Sequence, residues 1–192
     1  MCGRFTLRTT GNVVADFFGL HELPDFPPRY NIAPTQAVPV VRIRPGRGER
    51  ECALLHWGLV PAWADDPAIG HRLINARADT ASEKPAFRGP FRQRRCLVVA
   101  DGFYEWQKQG SRKQPFYIRR QDDRPFALAG LWDRWDRGEE PIDSCTILTT
   151  DANELMQPTH ERMPVIIPPE KYRLWLDPRC QDTEGLDEGS AW

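Results

Sequence analysis

Arg95-Cys96-Leu97-Val98-Val99-Ala100-Asp101-Gly102-Phe103-Tyr104-Glu105-Trp106-Gln107-Lys108 is the stretch whose reading decides the fold. Arg95 to Ala100 reads as one short strand. Phe103 to Lys108 reads as another, pairing with Pro115 to Arg119 in a hairpin around Gln109-Gly110-Ser111. Working outward, Val38 to Arg44 and Glu51 to Trp57 form a second hairpin joined by Pro45-Gly46-Arg47-Gly48, and Phe126 to Trp132 and Cys145 to Thr149 add further strands. Helices are few. Thr9-Thr10-Gly11 precedes a short capped helix at Asn12 to Phe18, and Pro24, Pro27, Pro28 and Pro34 make the next stretch irregular. Asp151 to Met156, with Asp151 as N-cap and Glu154 three residues on, and Glu170 to Leu176 behind Pro168-Pro169 complete the helical expectation. The predicted class is α+β and mainly β: antiparallel strands in a barrel-like or sandwich arrangement with a few short helices, in one domain.

A chain of 192 residues that is 40% hydrophobic can bury a core without disulfides or metals. The 28% charged content and the lack of any apolar run of about 18 residues exclude a membrane-spanning helix. Met1-Cys2-Gly3-Arg4 does not begin a secretory signal, so a cytoplasmic location is expected. Cysteines at 2, 52, 96, 145 and 180 contain no CxxC pair and fit reduced thiols. Cys52 and His56 are four apart, but without two further ligands they read as strand residues, and no metal or cofactor is expected.

The net charge of -1 hides an asymmetry. Residues 1–100 hold 14 basic and 9 acidic side chains, whereas residues 101–192 hold 12 and 18. Only Lys84, Lys108, Lys113 and Lys171 among the basic residues are lysines. Arginine is the better bidentate phosphate partner, although a codon bias toward arginine explains the same preference.

Four segments carry candidate chemistry. Cys2 becomes an aminothiol once Met1 is removed, with an α-amine titrating near about 8 and a thiol near about 8.5. Amine attack on an aldehyde gives a Schiff base, and thiol attack on that imine closes a five-membered thiazolidine. The bland alternative is a small hydrophobe after Met. The second segment runs from Arg72 to Arg95, with seven basic and two acidic residues interleaved with Phe87, Pro90 and Phe91. It fits either a groove that follows phosphates while aromatic faces stack on bases, or a solvated basic loop. Within it Asn75 either caps a turn or aims an amide at a reacting group. Third, period-2 geometry puts Glu105 on the face of Phe103, where burial would suit it to proton transfer, unless it is an edge residue pointing to water. Fourth, His160 in Thr159-His160-Glu161-Arg162-Met163-Pro164 belongs to the residue type that titrates near neutrality.

Taken jointly, Met1-Cys2-Gly3-Arg4-Phe5, Tyr30-Asn31-Ile32-Ala33-Pro34-Thr35-Gln36, Trp57-Gly58-Leu59-Val60-Pro61, Asn75-Ala76-Arg77, Gly102-Phe103-Tyr104-Glu105-Trp106, Ala129-Gly130-Leu131-Trp132 and His160-Glu161-Arg162-Met163-Pro164 resemble the SRAP family (SOS-response-associated peptidase, also called abasic-site processing proteins) in order and spacing from residue 1 to about 178. The resemblance implies a β-rich single domain that forms a thiazolidine crosslink with an abasic site in single-stranded DNA and shields the lesion, with lyase and self-processing peptidase character. It implies Cys2 as nucleophile, Asn75 and Glu105 as orienting and proton-shuttling groups, and His160 as a proton donor for opening the sugar ring. By the same resemblance Arg4, Arg77 and Arg162 hold phosphates, and Trp106 and Trp63 lie near unstacked nucleotides. The expected partner is single-stranded DNA containing abasic sites, met by a monomer.

Departures are few: Ala100 stands where the family often has Pro, and Asp79 where Glu is common. The SRAP domain is expected over 1–178, with an acidic tail over 179–192 where relatives usually continue, a shortened end that leaves a sheet edge open. Two other functions fit the same residues: a peptidase limited to removing its own Met1, and a non-covalent reader of single-stranded or modified DNA.

Overall fold

The computed structural model describes residues 2–180. In chain order the elements are β1 (Phe5–Leu7), α1 (Gly11–Phe18), β2 (Arg29–Ile32), β3 (Ala37–Ile43), β4 (Arg50–Trp57), β5 (Asn75–Arg77), α2 (Ala78–Ala81), α3 (Arg88–Gln93), β6 (Arg95–Ala100) and β7 (Gly102–Gln109). They continue as β8 (Arg112–Ile118), β9 (Phe126–Trp135), β10 (Ile142–Asp151), β11 (Arg162–Pro164), β12 (Ile166–Ile167) and α4 (Tyr172–Leu176), with 3-10 turns at Pro67–Arg72 and Pro169–Lys171.

The larger sheet closes on itself. Neighbours run β10-β4-β3-β6-β9, and β9 pairs back onto β10 from Ile142↔Trp135 to Ile147↔Gly130, giving a five-stranded barrel. Closure removes the edges of these strands, and all six residues of β6 are buried. The expected barrel-like, mainly β architecture is therefore present. Two pairings are parallel, β10 with β4 and β10 with β5, because both β4 and β5 reach β10 through long connections and not through hairpins.

Gly130 shows how tightly the wall is packed. It lies directly opposite Cys96 and Ile147, and a Cβ there would sit 2.8 Å from Cys96 Sγ, 3.0 Å from Val98 Cγ2 and 3.2 Å from the Thr146 carbonyl oxygen. The Ala-Gly-Leu-Trp motif is a packing requirement.

The smaller sheet is antiparallel, ordered β2-β1-β7-β8. Asp101, between β6 and β7, ties it to the barrel. Its fully buried carboxylate accepts from Thr6 Oγ1 (2.5 Å), the backbone N–H groups of Arg8 (2.7 Å) and Thr9 (2.8 Å), and Thr9 Oγ1 (2.9 Å). Phe5 carries the contact inward, its ring edge-on to buried Trp57 at 5.1 Å between centroids. The Trp57 indole donates to the Ile74 carbonyl at 2.9 Å, one residue before Asn75.

Several local expectations change. The predicted helix at Asp151 to Met156 does not form: Asp151 is the last residue of β10, paired with Arg162, and turns follow. Asn153 Oδ1, not Asp151, caps the turn by accepting from Met156 N–H at 3.0 Å, and Pro158 blocks helical extension. The helix at Gly11–Phe18 forms, but Thr10 makes no side-chain cap bond, and left-handed Gly19 closes the other end on the Ala15 carbonyl. β8 begins earlier than expected and accommodates Pro115 because it is an edge strand. Residues 181–192, most of the expected acidic tail, lie outside the described residues. Among those described, no helix is long and apolar enough to cross a membrane.

The packing at Gly130 makes a prediction. Gly130→Ala should lower the unfolding free energy by about 1–3 kcal/mol through overpacking. The effect will appear as a lower urea midpoint at unchanged slope, and the added Cys96→Ala change, which clears the Sγ, should recover part of it.

Candidate functional site

The N-terminal segment enters beside β7. Phe5 pairs with Phe103 and Thr6 with Gly102, and Tyr104 N–H donates to the Arg4 carbonyl at 2.9 Å. Continued by one residue, this register brings Gly3 alongside Glu105. Glu105 is only 2% exposed and shares the inner face with Phe103, so the carboxylate is buried and does not point to water.

Cys2 is fully buried in the same region. Burial pushes its thiol up to about 12, and the Glu105 charge adds to the rise, so the thiol and the carboxylate are electrostatic neighbours. From the opposite side β5 delivers Asn75, paired with Ile147 of β10. Asn75 Nδ2 donates to the Cys2 carbonyl at 2.9 Å. Its Oδ1 is buried and accepts no hydrogen bond among the described residues, leaving an acceptor at the N-terminus. β5, paired onto the barrel strand β10, and β7 of the smaller sheet thus clasp one short segment between an amide and a carboxylate.

His160 belongs to the loop after β10. Gln107, on the Glu105 face of β7, donates to the Pro158 carbonyl at 2.7 Å and holds that loop against the strand. His160 Nδ1 accepts from Arg162 N–H at 3.0 Å, which assigns the ring proton to Nε2. Gln107 was not singled out from sequence, although period 2 from Glu105 points to it.

Arg77 and Arg162 flank the end of β10. Arg77 pairs in register with Thr149, and the Arg162 guanidinium donates to the Thr149 carbonyl at 2.6 Å and to Asp151 at 2.5 Å. Arg77 makes a two-pronged contact with Asp79, at 3.1 and 2.6 Å. That contact holds the Asp79 carboxyl below its ordinary value, with the Arg162 charge contributing. Arg4 donates to Asn31 Oδ1 at 3.0 Å. Trp106 lies on the solvent face of β7, its ring 6.4 Å from that of Tyr104.

The remaining aromatic candidate is Trp63. It follows β4, where its carbonyl accepts from Arg137 at 2.7 Å and its side chain, 54% exposed, lines a groove of about 500 Å³ with Pro85, Arg88 and Arg94. The basic stretch before β6 also divides. Arg95 is buried, its guanidinium donating to the carbonyls of Phe91, Trp175, Asp177 and Cys180, so it clamps the end of the fold and is unavailable to a phosphate. Arg94 pairs with Asp133, whereas Arg88 is exposed.

A family model described as SOS response associated peptidase (SRAP) matches residues 1–190. Abasic site processing protein YoqW of Bacillus subtilis (strain 168) is 43% identical over 191 residues, covering 97% of this chain and 84% of that protein. Abasic site processing protein HMCES of Xenopus tropicalis is 36% identical over 182 residues, covering 79% of this chain and 54% of that one. A crystal structure of a protein from Bacteroides thetaiotaomicron superimposes with a TM-score of 0.85 at 28% identity, covering 97% of this chain and 85% of the other.

The bond between Asn75 and Cys2 is testable without any substrate. Asn75→Ala should cost about 1–3 kcal/mol in urea denaturation, since the buried Cys2 carbonyl loses its donor. Asn75→Asp should cost at least as much, because a carboxylate offers the carbonyl no proton at neutral pH.

Proposed function

Because this chain belongs to the SOS response associated peptidase (SRAP) family, we propose that it is an abasic-site processing protein that captures the aldehyde of a baseless nucleotide in single-stranded DNA through Cys2. One observation carries the reading: the Cys2 segment, its carbonyl held by the Asn75 amide, lies buried within electrostatic reach of the buried Glu105 carboxylate. The names of the relatives, abasic site processing proteins, support the substrate class.

Removal of Met1 frees the Cys2 α-amine, for which the unfilled Asn75 Oδ1 is a ready acceptor. His160, with its proton on Nε2, donates it to the ring oxygen of the abasic sugar as the C1–ring oxygen bond breaks, and the C1 hydroxyl returns a proton to the imidazole through water, leaving the open-chain aldehyde. The amine nitrogen adds to the aldehyde carbon and water leaves, giving the imine. Cys2 Sγ then bonds to the imine carbon while the thiol proton passes to nitrogen, closing a thiazolidine with no atom lost in that step. A thiol titrating near 12 stays protonated at neutral pH, so Glu105 relays its proton as sulfur attacks. Arg77 and Arg162 hold the flanking phosphates as they now hold Asp79 and Asp151.

Protein lacking Met1 should form an adduct with an oligodeoxynucleotide bearing one abasic site, visible on a denaturing gel without reductant. Cys2→Ala should form none, and Cys2→Ser almost none that survives denaturation, since an oxygen-containing ring reopens. Glu105→Gln should slow adduct formation about a hundredfold or more. A Cys2→Ala protein that crosslinks at the wild-type rate would sink the proposal.

A further inference from the structure

The β7–β8 hairpin has a second face that the chemistry at Cys2 does not use. Opposite the inner residues Phe103 and Glu105, the cross-strand pairs are Tyr104↔Tyr117, Trp106↔Pro115 and Lys108↔Lys113. Tyr104 and Tyr117 rings are 5.0 Å apart, and Tyr104 and Trp106 rings 6.4 Å apart, so the aromatic surface is continuous. Tyr117 lies back over Gly102. A Cβ on Gly102 would sit 2.2 Å from the Tyr117 hydroxyl and 2.4 Å from two ring carbons, and that hydroxyl meets Thr6 Oγ1 at 2.8 Å. The ring is thereby pinned with one side on the sheet, and Tyr117 remains 38% exposed and Trp106 36%.

The charge on this hairpin is one-sided. Between Gly102 and Ile118 the only acidic residue is Glu105, which is buried on the other face, while Lys108, Arg112 and Lys113 are exposed around the tip. Lys108 and Lys113 stand directly opposite one another, an arrangement that destabilises a strand pair. None of the three cations is ion-paired among the described residues. An uncompensated like-charge pair beyond a run of exposed rings fits a polyanion that presents flat faces. A single-stranded nucleic acid does so, whereas the bases of a duplex are stacked on each other.

We infer that this face is a binding platform for the DNA strand leading away from Cys2, with bases stacked on Tyr117 and Trp106 and phosphates held by Lys108 and Lys113. The inference rests on the reading that single-stranded DNA reaches Cys2. Lys108 lies three residues beyond Glu105, roughly 10 Å along the strand and on the opposite face of the hairpin. Arg4, opposite Tyr104, supplies the charge at the other end.

The test uses a fluorescein-labelled oligodeoxythymidine of about 20 nucleotides with no abasic site, so that binding is non-covalent, followed by anisotropy across a salt series. The double variant Lys108→Ala/Lys113→Ala should weaken binding about tenfold near 0.1 M salt and reduce the slope of log affinity against log salt by about 1.4, two phosphates' worth on a single strand. Tyr117→Leu should weaken binding about tenfold at unchanged slope, while Tyr117→Phe, which keeps the ring, should bind like wild type. An unaltered urea midpoint establishes that each variant is folded. Wild-type affinity and slope in the folded double variant overturn the platform, as does an equal loss on duplex DNA of the same length. Adduct formation by the wild-type protein on an abasic oligonucleotide is measured in parallel on a denaturing gel. Failure of the wild-type protein to form that adduct counts against the Cys2 reading alone, because the anisotropy series still decides the platform.

Discussion

Asp101 accepts its hydrogen bonds from Thr6, Arg8 and Thr9, all on or just after β1, and the arrangement of the site depends on that corner. A carboxylate with no exposure is tolerated only when such donors replace water. Satisfying it fixes β1 against β7 in one register. Because side chains alternate with period 2, a slip of one residue would turn the N-terminal segment to the wrong side of Glu105 and take Thr6 away from the Tyr117 hydroxyl. The same corner therefore determines what reaches the inner face of β7 and what the outer face displays.

The two faces of β7 solve opposite problems. On the inner face a thiol and a carboxylate share a dry space, which raises the thiol to about 12 and disfavours a standing thiolate. The ring closure proposed for Cys2, which forms carbon–sulfur and nitrogen–hydrogen bonds together, has no need of one. It needs the proton to travel a short way between fixed groups, and strands from two sheets give those groups less freedom than loops would. On the outer face, rings and ammonium groups project into water, where they add little to stability and are open to a partner.

Much of this architecture was legible in the chain, and the misses have physical causes. The apolar run of β6 and the alternation in β7 announced themselves, and alternation put Glu105 on the face of Phe103, while its burial was settled only by the packing of that face. Asp151 to Met156 misled because an acidic residue followed by Glu154 matches a helix start, whereas strand pairing with Arg162 gave Asp151 a better partner than a helix terminus would. That β5 and β4 both reach β10 in parallel could not be read locally, since such pairings are set by tertiary closure of the barrel. The meeting of Asn75 with Cys2, 73 residues apart in sequence, follows from that closure and is invisible to any window along the chain.

Charge was the most deceptive signal. A net value of -1 and a tally of arginines both fail to describe the field a strand of DNA would meet, because the structure uses many cations internally. Arg42 is sandwiched between the Trp132 ring and the carboxylates of Glu51 and Asp143, and Arg95 is spent on four carbonyls. Arg77 and Arg162 are also engaged, by Asp79 and Asp151, whose side chains are 51% and 88% exposed, and Arg162 donates in addition to the Thr149 carbonyl. An exposed carboxylate holds an arginine weakly, so a phosphate can replace it with little net loss, whereas nothing in solution can replace the carbonyls around Arg95. On the proposed reading, what separates Arg77 from Arg95 is how wet its present partner is.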